Sequence, residues 1–173
     1  MKNNITKGFV HKFEDDINTD YIISSRDKRD TTDCNILKKR IFADIRDNLI
    51  EKIREGDVIA AGYNFGCGSA MEVASRVVKA AGFSVIIAKS FARSYYRNAM
   101  NNGILLINAD TDFLNDGDAV SIDVEENGNL ILSFGHKSDR VNLGKISSVN
   151  EALYKAGGLI EYVNKYDRFP MSF

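Results

Sequence analysis

Eleven residues, NFGCGSAMEVA at positions 64–74, hold most of the chemistry the sequence advertises. Gly66 and Gly68 flank Cys67, Ser69 follows at once, and from Met71 onward the residues favour helix. A glycine turn that opens a helix exposes backbone amides and lets a ligand approach them, so its natural guest is a carboxylate or phosphate. A second reading uses Ser69 and Glu72 as S-x-x-E, a capping box in which the serine oxygen takes an amide proton and the glutamate reaches back. Both stand at this point. The capping box accounts for Ser69 and Glu72 but leaves Gly66 and Gly68 without a reason. A third glycine at dinucleotide spacing is missing, as is the GK[ST] of a Walker phosphate loop. No histidine is near in sequence to deprotonate Ser69, since His11 and His136 fall in an early strand and beyond a late hairpin. Both histidines are read as structural, which disfavours a Ser-His-Asp hydrolase.

The elements around the turn are those that would position it. Residues 58–62 (VIAAG), 83–88 (FSVIIA) and 104–107 (ILLI) read as buried strands. Between them lie one helix with Met71, Ala74, Val77, Val78 and Ala81 on its apolar face, stopping at Gly82, and another from about Ser90 to the Asn-Asn-Gly at 101–103. Strand, helix, strand, helix, strand within about fifty residues predicts a parallel α/β layer, with ligands received at the carboxyl ends of the strands. A short strand is expected at 8–13, a polar loop at 24–33 (SSRDKRDTTD), and one broken or two short helices at 35–54. Alternating runs around Asn127-Gly128 predict a late hairpin, and 150–162 a helix broken at Gly157-Gly158.

The chain has 173 residues, 44% hydrophobic and 27% charged, enough for one domain with an ordinary core. Its 23 basic residues against 24 acidic ones leave no excess to neutralise a nucleic-acid backbone, so nucleic acid is not an expected partner. No apolar run approaches the roughly 18 residues of a membrane span, and no signal-peptide pattern opens the chain. Two cysteines, Cys34 and Cys67, are too few for a disulfide scaffold or a local metal knuckle; both are expected as buried thiols in a cytoplasmic protein.

Four separated stretches, DINTDYII (16–23), GYNFGCGS with its following Glu and Ala (62–74), IIAKSFARSYYRNAMNNGILLI (86–107) and KAGGLIEYV (155–163), resemble the small subunit of 3-isopropylmalate dehydratase and its homoaconitase relatives, equivalent to the swivelling last domain of aconitase. The likeness runs over about residues 9–163. It implies a single β/β/α swivelling domain over 1–173, with a partly parallel sheet, flanking helices and a late hairpin. A specificity loop would occupy 23–34, and the C-terminal helix and tail 150–173. It also implies a large-subunit partner carrying a [4Fe-4S] cluster, with none bound by this chain. In that family a cluster iron polarises the hydroxyl and a carboxylate of a small hydroxy acid while a serine alkoxide removes the neighbouring proton; the matching serine is Ser69. Substrate contact then falls to Gly68, Ala70 and Met71 of the turn and to Arg26, Lys28 and Arg29 of the loop. A helix N-terminus supplies about 0.3–1 kcal/mol toward an alkoxide, up to about 2 when half-buried, about one pKa unit. The rest must come from amide donors and charge across a dry, closed interface, so the isolated chain is expected to be inactive.

The family pattern GSSREHA reads GSAMEVA here: Ser69, Glu72 and Ala74 match, while Ala70, Met71 and Val73 depart. The arginine replaced by Met71 reaches a substrate carboxylate in that family, a contact worth about 1.5–3 kcal/mol. Met71 is read as packing on an apolar part of the substrate or joining the core. Arg26 matches the loop's arginine, but charged residues follow where an aromatic and aliphatic pair is usual, and Lys28 or Arg29 is a replacement cation or a solvated one. Isopropylmalate in leucine biosynthesis is the first reading of the substrate. A differently substituted malate or a citrate-like acid is the alternative, and a non-catalytic paralogous subunit or a free-standing anion-binding module are the others. Tyr95, Tyr96 and Arg97 are candidates to face the partner.

Overall fold

The computed structural model describes residues 3–135 and 139–171. Strand β1 (Asn3–Lys12) leads through the short helix α1 (Thr19–Ile22) and a charged loop to α2 (Cys34–Leu37). Two 3-10 turns, Lys38–Arg40 and Leu49–Glu51, follow. Next come β2 (Val58–Ala61), α3 (Glu72–Ala81), β3 (Val85–Ala88), α4 (Arg93–Asn101) and β4 (Leu105–Asn108). The chain continues as β5 (Ala119–Val124), β6 (Asn129–Phe134), β7 (Asp139–Lys145), α5 (Ser148–Ala156) and α6 (Leu159–Tyr166).

All seven strands form one sheet in the order β4-β3-β2-β1-β5-β6-β7. The half from β1 to β4 is parallel and the half from β1 to β7 antiparallel. Strand β1 belongs to both: Val10–Lys12 register with β2, whereas Asn3–Phe9 run against β5. The parallel strands bury both faces, which is why they read as continuous apolar runs. Ile59, Ala61, Ile86 and Ala88 face a core that includes Ala74, Val77, Val78, Tyr95 and Ala99 of the helices. Alternate residues Val58, Ala60, Val85 and Ile87 meet Val120, Ile122, Leu130 and Leu132 of the antiparallel half, so the sheet curls over itself. The mixed α/β architecture expected from the motifs is present.

Several local expectations are corrected. The two short helices expected at 35–54 are reduced to α2 running on into the 3-10 turn Lys38–Arg40, and to the 3-10 turn Leu49–Glu51. Phe42 (φ 54°) and Asn48 (φ 52°) take left-handed backbone there, which no helix continues through, and the Phe42 ring is fully buried against Phe13. Helix α4 starts at Arg93 instead of Ser90, because 90–92 run extended beside the glycine turn. The hairpin forms at Asn127-Gly128 with Glu125 N donating to Asn129 O, 2.9 Å, and β1 and β7 extend the sheet beyond what the alternation marked. Gly157, at φ 90°, ends α5 as a left-handed cap before α6. His11 is structural: its Nε2 lies 2.8 Å from Asp57 Oδ2, and both residues are buried. His136 lies outside the described residues.

Candidate functional site

The carboxyl ends of β1, β2, β3 and β4 share one edge of the sheet, and the segments leaving them interlock there. From β2 the chain runs through Tyr63 and Asn64 into the glycine turn. The 16–20 segment after β1 clamps that turn. Ile17 O accepts from Gly66 N at 2.7 Å, and Thr19 N donates to Cys67 O at 2.8 Å. Asn64 Nδ2 donates to Asp16 Oδ1 at 2.8 Å. On the other side, Phe65 N donates to Ser90 O (3.0 Å) and Ala92 N to Phe65 O (2.9 Å), tying the turn to the segment after β3. The buried Phe65 ring wedges between Phe91 and Tyr95, edge-on to both.

The two glycines are demanded by contact as well as by backbone. Gly66 has φ +79°, and a Cβ there would lie 2.2 Å from Tyr95 Cγ. Gly68 has φ +89°, and its Cβ would lie 2.4 Å from Asn18 Oδ1, itself fixed by accepting from Asp20 N as the cap of α1. Only glycine meets both conditions.

The clamp delivers Ser69 to the surface. Its carbonyl accepts from Thr19 Oγ1 (3.0 Å) and from Met71 N (2.8 Å), which fixes the backbone. Gly68, Ser69 and Ala70 are exposed, and among the described residues nothing is hydrogen-bonded to the Ser69 hydroxyl or to the three backbone amides. The expected Ser69–Glu72 capping box does not form. Helix α3 begins at Glu72 with Met71 in the cap position and no side-chain cap, so Ser69 sits two residues before the cap. The reason is geometric: Ser69 is held by Thr19, away from the first turn. Ser69 stands on an open surface, and it does not line any of five surface hollows of about 320–490 Å³. A reactant at Ser69 must be enclosed by something outside this chain.

Among the other expected site residues, Lys28 and Met71 are brought to the turn. Met71 is half-buried, packs on the helix-side core, and receives the Lys28 ammonium on its sulfur. Lys28 has no carboxylate partner among the described residues. Arg26 is drawn away, its side chain 77% exposed and 3.6 Å from Asp44. Arg29 is exposed and makes only a backbone turn contact, to Arg26 O. The charged loop is itself ordered by Ser24 Oγ donating to Asp27 Oδ2 (2.8 Å) and by the Arg40–Asp27 pair (3.5 Å). The cysteines are half-buried, not buried as expected: Cys34 opens α2 next to the charged loop, and Cys67 lies in the glycine turn beside the exposed Gly68. Burial pushes the Cys67 thiol up from its ordinary value and the Asp16 carboxylate adds to this, against a smaller effect of its backbone amide. Tyr95 faces the core, not a partner, and its hydroxyl is buried without a hydrogen-bond partner among the described residues; Arg97 is exposed.

Asn18, Thr19 and Tyr95 are the positioning residues that sequence reasoning passed over. The first two carried a signal, since Asn18 with Asp20 before an apolar triplet is a helix-start pattern. Nothing in sequence marks Tyr95 as the floor of a turn thirty residues earlier.

No group of three or more His, Cys, Asp or Glu side chains is placed to hold a metal ion among the described residues, so these residues do not fit a cluster of their own. Nor is any described helix long and apolar enough to cross a membrane.

Residues 13–112, the stretch that includes the clamp, the turn and α4, match the Aconitase C-terminal domain family. The methanogen homoaconitase small subunit of Methanocaldococcus jannaschii is 43% identical over 161 residues, covering 93% of this chain and 92% of that one. A 3-isopropylmalate dehydratase small subunit of Caldicellulosiruptor bescii is 40% identical over 161 residues, 92% and 95% of the two chains. A crystal structure of 3-isopropylmalate dehydratase from Methanocaldococcus jannaschii superposes with a TM-score of 0.83 at 39% identity, covering 96% of each chain. On family match, whole-length identity and shared architecture together, the chain belongs to the aconitase C-terminal domain family.

Proposed function

We propose that this chain is the small subunit of a heteromeric iron-sulfur hydro-lyase that dehydrates and rehydrates a small hydroxy acid, and that 3-isopropylmalate is its substrate. The observation that carries the reading is the Ser69 hydroxyl, exposed and unpartnered at the end of a doubly clamped glycine turn. Ser69 removes the proton next to a substrate carboxylate. The free amides of Gly68, Ser69 and Ala70 stabilise the alkoxide and the developing charge. The iron-sulfur cluster belongs to the large subunit in this reading, and closure of the two chains excludes the water that otherwise solvates an exposed serine.

A second reading changes the acid and keeps the reaction. It is favoured by Lys28, whose half-buried ammonium reaches Met71, two residues from Ser69, without a carboxylate of its own. A cation there suits a substrate with an additional carboxylate better than one with an isopropyl group. The relative named as a homoaconitase small subunit supports considering that class.

Co-expression with a large subunit and assay against a panel of substituted malates and citrate-like acids tests both. Ser69→Ala is expected to abolish turnover without loss of assembly, and Glu72→Ala to retain it. Turnover by Ser69→Ala near the wild-type rate would remove the base assignment. Lys28→Ala distinguishes the acids: it spares an isopropylmalate reaction and raises KM for a tricarboxylate by roughly tenfold or more.

A further inference from the structure

Helix α4 begins with an electrostatic arrangement that the chain leaves unresolved. Arg93 is its first residue, where the helix dipole disfavours a cation, and Arg97 lies one turn further on the same face, where like charges repel. The cap position is Ala92, which offers no side-chain hydrogen bond, and the first turn holds no acidic residue. By contrast, Ser147 caps α5 and Glu151 lies in its first turn. Both arginines are exposed and neither has a carboxylate partner among the described residues. With Phe91, Tyr96 and Asn108 they line a hollow of about 330 Å³. Phe91 and Tyr96 meet edge-on, 5.8 Å between ring centres, and give the hollow an apolar wall below the two guanidinium groups.

Each of these features is relieved by one thing, a carboxylate arriving from outside. It would accept from both guanidinium groups, face the uncapped amides of α4, and lay its stem on the rings. The hollow lies on the same strand-end edge as Ser69, since the segment leading into α4 is hydrogen-bonded to Phe65 of the glycine turn.

We propose that the Arg93–Arg97 hollow is the docking point for an acidic side chain of the large subunit, anchoring the interface that closes over Ser69. The inference rests on the small-subunit reading above. A protein side chain is favoured over a free acid because both arginines are exposed and the hollow, walled on one side by Phe91 and Tyr96, is open to solvent on the other.

The test measures affinity of the purified large subunit for this chain, at about 50 mM and about 500 mM salt. Reversal by Arg93→Glu/Arg97→Glu is expected to weaken association roughly 100-fold at low salt, and the wild-type complex to loosen at high salt. Arg140→Glu on β7 serves as a charge control and should stay within about threefold, because its exposed pair with Glu125 contributes little. An acid at position 93 favours the helix start, so the double variant should fold; if circular dichroism shows otherwise, Arg93→Gln/Arg97→Gln replaces it. Unchanged affinity of a folded variant overturns the proposal and leaves the small-subunit reading intact, as assembly-competent but inactive Ser69→Ala would show. Saturable binding of free citrate or malate to the isolated chain, lost in the double variant while assembly is unaffected, assigns the hollow to a small acid and equally overturns it. A wild-type chain that binds no large subunit defeats both.

Discussion

Substituting Gly66 by alanine is the sharpest probe of how Ser69 is held, because the penalty divides into two separable parts. The left-handed backbone at φ +79° costs a residue with a Cβ about 1–2 kcal/mol. The new methyl would also lie 2.2 Å from Cγ and 2.4 Å from Cβ of Tyr95. Tyr95 is 1% exposed and wedged against Phe65, so the ring has nowhere to retreat, and such overpacking costs about 1–3 kcal/mol. The sum is about 2–5 kcal/mol, or a fall in melting temperature of about 10 °C for a chain of this size. Gly128→Ala isolates the first part: its φ is +83° and a Cβ there meets nothing within 4 Å, so only about 1–2 kcal/mol and about 3 °C are lost. Paired thermal melts of the isolated chain, followed by turnover assay of each variant with the large subunit, read out both effects. Equal shifts for the two variants, with full activity at Gly66→Ala, would show that the turn is not braced on Tyr95 and that Ser69 does not depend on it.

Tyr95→Phe removes a hydroxyl that is buried without a partner, so urea unfolding should find the variant as stable as the parent or more so by up to about 1–3 kcal/mol; a clear loss would reveal a hidden hydrogen bond. Asp57→Ala strips a buried carboxylate that accepts from Phe9 N at 2.8 Å, Arg54 N at 3.0 Å and pairs with His11. It should cost about 3–5 kcal/mol by denaturant titration, and a loss below about 1 kcal/mol would contradict that account. The Cys67 thiol is held above its ordinary range by burial and then by Asp16, so alkylation by iodoacetamide at neutral pH should be slow. Asp16→Asn removes a charge that opposes the thiolate, which lowers the pKa and should speed the reaction; an unchanged rate would leave burial as the sole cause.

How far the sequence reached depends on whether a signal is local. The parallel strands and α3 and α4 were legible because burial on both faces leaves apolar runs, and one-sided burial leaves helical spacing. The hairpin was legible because Asn127-Gly128 is the turn chemistry that a tight reversal needs. Ser69 stood out because its glycine turn resembles that of the dehydratase small subunits, and the two glycines are what the capping box alone leaves without a reason. At 35–54 the apolar spacing marked short helices but not where they stop, because the left-handed backbone at Phe42 and Asn48 is not encoded in that spacing.

By themselves, then, the residues determined the α/β class and the place of the glycine turn at a strand end, and their resemblance to the dehydratase small subunits supplied the candidate serine. Tertiary structure decided what each of those residues touches. Thr19, fifty residues away, holds the Ser69 carbonyl and keeps the serine out of the capping box. Tyr95 explains Gly66, Lys28 reaches Met71 while Arg26 turns to Asp44, and Arg93 and Arg97 face outward with Tyr95 buried behind them. The physical reason is that periodicity and turn propensity are properties of neighbouring residues, whereas clamps, clashes and unpaired charges arise only when segments distant in the chain are brought to one sheet edge.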